Sequence, residues 1–226
     1  MTSNGGLWKL LQLGDSFFPT GAMAHSFGVE GLWSEGALRD ASELERFVEG
    51  QLQQRWATTD RPAILAAHAA RGDLGEVERV DRWVDRSSPV AAWREAGRRL
   101  GRALLRTHER LGTPGACEYG ERVRSLECPG QGCVVQGLLT EASGLDAESA
   151  ALLSAYTLAV AIVGAALRLG IVGHLDAQRI LNRQQARTAA IFEEPPPDLT
   201  DAHAWAPHAE VAAMRHAARP GRLFAS

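Results

Sequence analysis

Seven histidines and three cysteines are the residues of this chain best suited to metal or nucleophilic chemistry. The histidines are His25, His68, His108, His174, His203, His208 and His216. No two stand three or four positions apart, so no single helical turn offers two imidazoles to a metal ion. His203 and His208 could cooperate across a turn, but ordinary surface histidines account for them more simply. Cys117, Cys128 and Cys133 are odd in number and contain no C-x-x-C pair. That argues against a disulfide framework and a structural zinc site, and it suits a reducing cytoplasm. The sequence holds no Walker-type phosphate loop, no G-x-S-x-G and no H-E-x-x-H. The paired Glu-x-x-His of di-iron bundles is missing too. Acidic neighbours such as Glu193 and Glu194 read as solvated. The expectation is an interaction protein with no catalytic residues, no tight metal site and no cofactor of its own.

Bulk properties agree. The 226 residues suffice for one domain of ordinary size. Hydrophobic residues make up 45% and charged residues 23%, which are globular proportions. The net charge of −3 disfavours a nucleic-acid partner, which would select for a basic chain. Lys9 is the sole lysine, and arginine, with its planar bidentate fork, carries almost all positive charge. Residues 1–9 are polar and Gly-rich and do not read as a signal peptide. Ser149 to Leu167 runs without a charge over nearly a bilayer-spanning length. It is mostly alanine, which gains little from lipid but lets helices approach closely, so it reads as a buried central helix.

Helical periodicity runs through the chain. Leu7–Leu13 is a short apolar candidate, and a helix is expected from about Ala22 to Glu35 with Gly36 as its stop. Asp15, Ser16 or Thr20 could cap it. Ser42-x-x-Glu45 matches a capping box ahead of Leu44, Phe47, Val48, Leu52 and Trp56. Pro62 suits the first turn of a separate helix. Asp73 and Asp146 are further caps, and a long helix is expected from Ser87–Pro89 to Gly112. Further helices are expected over Cys117–Leu126, Val134–Ala142 and Asp176–Phe192. No segment alternates like a strand. The class is all-α, a single-domain bundle of about ten helices. Residues 1–192 form its core; residues 193–226 begin with Pro195-Pro196-Pro197, a stiff linker, and continue into a tail with a helix near Pro207–His216.

Three stretches resemble the UreF family of urease accessory proteins. The first runs from Leu10 to Glu30 and is similar to D-S-x-x-P-x-G-x-x-x-H-S-x-G-L-E. Asp15, Ser16, Pro19, Gly21, His25, Ser26, Gly28 and Glu30 fall on that pattern, with Val29 in place of the usual Leu and Ala22-Met23 replacing a Gly-aromatic pair. The second, Ala165 to Gln178, is similar to A-x-R-L-G-x-x-G-Q-x-x-x-Q, with His174 at the first Gln. The third, Met214-Arg215-His216 through Arg222-Leu223-Phe224 to Ser226, resembles M-R-H-E-x-x-x-x-R-L-F-x-S, with Ala217 at the acidic position. One departure stands between Gly130 and Gly137: Gln131 and Cys133 occupy the places of the family's His and Pro.

The resemblance implies a cytoplasmic, all-α homodimer that bridges UreD (also called UreH) and the nickel-carrying GTPase UreG on the urease apoprotein. It would regulate the GTPase in nickel insertion, with nickel handled by the partners. Partner-binding positions implied are Asp15, Ser16, Pro19, Gly21, Met23, His25, Ser26, Gly28, Glu30, Met214, Arg215, His216, Arg222, Leu223 and Phe224. Met23 and Phe27 would supply apolar contact, or the segment is simply a capping turn around a core histidine. Leu223 and Phe224 either pack on the chain's own core or order against a partner. Leu152 and Tyr156, one turn apart, could meet a two-fold mate. The rival reading is a small helical enzyme with His25, Glu30 and Arg222 in a cleft.

Overall fold

The structure is a computed structural model and describes residues 4–22, 25–88, 90–203, 210–212, 214–215 and 223–224. Among these are ten α-helices and no strands, as the all-α expectation requires. They are α1 (Asn4–Gly14), α2 (Val29–Ser34), α3 (Ala41–Gln51), α4 (Arg61–Ala69), α5 (Leu74–Ser87), α6 (Ala91–Arg110), α7 (Ala116–Arg124), α8 (Gly132–Ala142), α9 (Ala147–Arg168) and α10 (His174–Glu193). Asp73 caps α5 by accepting from the amides of Gly75 and Glu76, and Asp146 caps α9 by accepting from that of Ser149.

Two expectations need correction. The helix expected from Ala22 to Glu35 is only the six-residue α2. Phe27 (φ 53) and Gly28 (φ 95) both take the left-handed conformation and turn the chain just before it. The cap of α3 is Asp40, two residues before Ser42: its carboxylate accepts from the Glu43 amide at 2.9 Å, while Glu43 accepts from the Arg39 amide at 2.7 Å. Pro62 does stand in the first turn of a further helix, α4, but no break precedes that helix. A π-helical stretch, Leu52–Asp60, joins α3 to α4 without a break, and the Arg61 amide reaches back five residues to the Trp56 carbonyl. Pro62 follows directly in the first turn of α4, where its missing N–H costs little. Parts of the expected tail helix, and Pro89, lie outside the described residues.

The core has two main parts. One gathers Val29, Leu44, Val48, Trp56, Ile162, Ile180 and Phe224 from α2, α3, the π-helical stretch, α9, α10 and the tail. The other gathers Val77, Val80, Leu105, Tyr119, Val134 and Leu138 from α5 to α8. Trp56 is fully buried and donates from Nε1 to Ser154 Oγ at 3.2 Å, tying the π-helical stretch to α9. α8 lies so close to α4 that a Cβ on Gly137 would come within 2.5 Å of the Ile64 carbonyl oxygen. Helix α9 is long and apolar enough to cross a membrane, but 67% of its most apolar window is buried within the protein, as in a core helix.

The segment after α10 stays on the body. Arg61 is buried and donates to the carbonyls of Ile191 (3.0 Å) and Glu194 (3.1 Å), placing a cation at the carbonyl end of α10. The His203 amide donates to the Thr58 carbonyl at 3.1 Å.

Asp81 has no solvent exposure, yet it accepts from Tyr119 Oη (2.7 Å) and from the amides of Gly130 (2.6 Å) and Gln131 (2.7 Å). It fixes the loop in which Gln131 and Cys133 stand. The Gln131 side chain is buried and donates to Asp85 at 2.7 Å. Asp81→Ala would strand three buried donors, and we expect a loss of about 3 kcal/mol or more in urea denaturation, against about 1 kcal/mol for Tyr119→Phe.

His108 is buried on α6 against the edge of Phe18, with Nδ1 2.9 Å from Thr113 Oγ1. Burial, with the charge of Lys9 adding to it, pulls its pKa from 6.5 to about 4. The unfolded chain therefore binds this proton more tightly. Stability is full above pH 6.5 and falls as the pH drops from 6.5 towards 4. The thermal midpoint should decline over that window, and His108→Gln should flatten the decline.

Candidate functional site

The chain from Asp15 to Glu30 has little regular structure, so its backbone groups need specific partners. Asp15 Oδ1 accepts from the Phe17 amide at 2.8 Å, and Asp15, Ser16 and Pro19 lie exposed. Thr107 on α6 donates to the Pro19 carbonyl at 3.1 Å. Gly21 (φ 78) then passes so near α6 that a Cβ there would stand 3.0 Å from that of Ala103. Met23 lies outside the described residues. His25 and Ser26 are buried, His25 edge-on to Phe27 with ring centroids 6.4 Å apart. Burial, with Arg99 adding to it, lowers the His25 pKa, which holds the ring neutral at pH 7.

Glu30 is the second residue of α2 and only 7% exposed. Its Oε1 accepts from the Leu223 amide at 2.7 Å and its Oε2 from the Phe224 amide at 3.0 Å. The Phe224 ring, 5% exposed, packs into the core beside Val29. The guanidinium of Arg168, at the end of α9, lies over that ring 4.4 Å from its centroid. Glu30, Arg168 and Phe224 come one from each of the three stretches singled out above, so the fold brings those stretches to one junction. Leu223 points outward, 65% exposed. Met214 and Arg215 are exposed too, with Arg215 3.7 Å from Glu35. His216 and Arg222 lie outside the described residues.

Phe224 is thus held by its own chain, and of the two large apolar tail residues only Leu223 faces outward. Both oxygens of Glu30 receive tail amides, an arrangement suited to anchoring backbone rather than to moving protons. Among the described residues, no three His, Cys, Asp or Glu side chains gather as a metal site.

A second feature was only half foreseen. Leu152 and Tyr156 do face outward from α9, and α1 packs beside them, with Gly14 close to Leu153 and Tyr156. Helix α1 buries Leu13 but leaves Leu7, Leu11 and Trp8 exposed, Trp8 at 75%; Phe17 just beyond it is 93% exposed. The signal was present in the sequence: Leu7-Trp-Lys-Leu-Leu-Gln-Leu13 is apolar on more than one helical face, which one core contact cannot use up. Several large apolar side chains exposed on two adjacent helices mark an interaction surface.

Known proteins resemble this chain over nearly its whole length. The family model described as UreF matches residues 38–185. The chain is 31% identical to the urease accessory protein UreF of Trichodesmium erythraeum over 96% of this chain and 95% of that one. It is 32% identical to the urease accessory protein UreF 1 of Brucella melitensis, covering 97% and 92% of the two chains. It is 28% identical to the UreF of Actinobacillus pleuropneumoniae, over 98% of this chain and the whole of that one. The relatives are named as accessory proteins.

Glu30→Ala should free the tail at a cost of about 2 kcal/mol, the penalty for one buried and one part-buried amide left without this acceptor. Carboxypeptidase should then trim the chain's end at least several-fold faster than in wild type. Unchanged trimming would mean that the carboxylate does not hold the tail.

Proposed function

This chain belongs to the UreF family of urease accessory proteins, and we propose that it acts as a scaffold in urease maturation rather than as an enzyme. In this reading it joins a UreD-type (UreH) protein to the UreG GTPase on the urease apoprotein, in the cytoplasm, as a homodimer. Nickel is the cargo of the partners, and this chain needs no cofactor. A scaffold regulates a GTPase by differential affinity: if it binds one nucleotide state more tightly, it shifts the equilibrium by that difference. A preference of about 1.4 kcal/mol suffices for a tenfold shift.

The observation that carries this reading is the outward apolar face of α1 and α9. Trp8, Leu11 and Tyr156 are the residue types that anchor interfaces, and a folded chain gains nothing by leaving them in water. The junction at Glu30 supports it. By anchoring the Phe224 ring it presents Leu223 at a defined place. In this reading the α1 and α9 face meets the two-fold mate and the signature and tail meet the accessory partners.

The test is capture of UreD-type and UreG-type proteins from the same source by the tagged chain. Wild type should retain both. A chain ending at Pro220 should lose at least tenfold in capture, and Trp8→Asp should shift the dimer to monomer in sedimentation, each keeping a helical circular dichroism spectrum. No capture by a well-folded wild type would overturn the scaffold reading.

A further inference from the structure

A cavity of about 160 Å³ lies between the signature segment, the π-helical stretch, α6, α8 and α9. Its walls are mostly apolar, from side chains such as Leu100 and Leu139, and Ser87 is the sole exposed residue among those lining it. A void of this size in an apolar core ordinarily stays dry or takes up a small apolar molecule. This one is different, because three residues that line it each carry a buried hydrogen-bond donor without a partner: Arg55 Nη1, Thr59 Oγ1 and Trp93 Nε1. Trp93 is itself only 6% exposed. Buried donors are nearly always satisfied, so three on one cavity call for an acceptor.

The charge balance says which kind. The Arg55 guanidinium carbon lies over the Trp93 ring, 4.5 Å from its centroid. Its nearest carboxylate, Asp60, stands 3.9 Å from Nε, beyond hydrogen-bond reach. Burial pushes the Asp60 carboxyl up towards its neutral form and does the same to the Cys133 thiol, while the His25 ring is held neutral by burial and by Arg99. The guanidinium pairs with Asp60 only at that 3.9 Å distance and still carries an unused N–H at Nη1. A π-helical stretch supplies Arg55, Thr59 and Asp60 together, and such departures from α-helix recur at functional sites.

We propose that this cavity is a binding site for a small carboxylate with a short apolar chain. The carboxylate accepts from Arg55, Thr59 and Trp93, and the apolar chain lies against Leu100 and Leu139. The volume suits about four carbons, since a cavity of about 150 Å³ accommodates benzene. The cavity shares a wall with the signature segment, but its three donors come from the π-helical stretch and α6.

The test uses the full chain with sodium butyrate as probe, and with butanol, butylamine and sodium chloride as controls. Butyrate should raise the thermal midpoint saturably and show nuclear Overhauser contacts to the indole protons of Trp93. Thr59→Val and Trp93→Phe, which keep shape but remove one donor each, should weaken binding several-fold or more. The Trp93 contacts in wild type decide the matter even if a variant fails to fold. Absence of saturation would overturn the proposal and leave ordered water as the occupant. So would an equal effect from butanol, which would make the cavity merely apolar, or an equal effect from chloride, or full affinity in both folded variants.

Discussion

Glu30 sits beneath the end of the chain with each carboxylate oxygen taken by a backbone amide from a residue 193 or 194 positions away. A buried carboxylate is costly unless its oxygens are satisfied, and buried amides without regular structure are costly unless they find acceptors. Each cost removes the other. Once the amides of Leu223 and Phe224 are fixed, the Phe224 ring is carried into the core beside Val29, under the guanidinium of Arg168. Asp81 applies the same solution to the loop at Gly130 and Gln131. Two irregular segments of this helical protein are thus each held by an acidic side chain, and each hold can be lost by one substitution.

A scaffold needs a rigid body and surfaces left unsatisfied. The body is supplied by close helix packing, where α8 meets the backbone of α4 at Gly137 and the small side chains of α9 run through the centre. The unsatisfied surface is the outward side of α1 and α9. Trp8, Leu11, Leu152 and Tyr156 remain in water there although the same helices bury Leu13 and Leu153. A helix that is apolar on two faces can serve two contacts, and among the described residues α1 uses one face against α9.

The same rigidity frames the cavity beside the π-helical stretch. Continuing α3 into α4 through a wider helix places Arg55 and Thr59 on its wall, with Asp60 beside them. Trp56, between them, turns the other way to Ser154.

Much of the architecture was legible in the residues. Apolar spacing gave the all-α class, and Asp73 and Asp146 cap their helices as their positions suggest, because capping is a contact over three residues. The unusual composition of three stretches marked segments that the fold brings to one junction. Local rules misled where a tertiary contact outweighed them. The left-handed turn at Phe27 and Gly28 halts a helix that periodicity favours, and Asp40 rather than Ser42 takes the cap because Arg39 and Glu43 complete the box around it. That Glu30, Arg168 and Phe224 meet, that Phe224 turns inward and Leu223 outward, and that Arg55 and Trp93 share a cavity wall were decided only in three dimensions. Helical periodicity is set by neighbours within a turn, whereas these contacts join residues far apart in the chain, and packing alone selects among the ways of bringing them together.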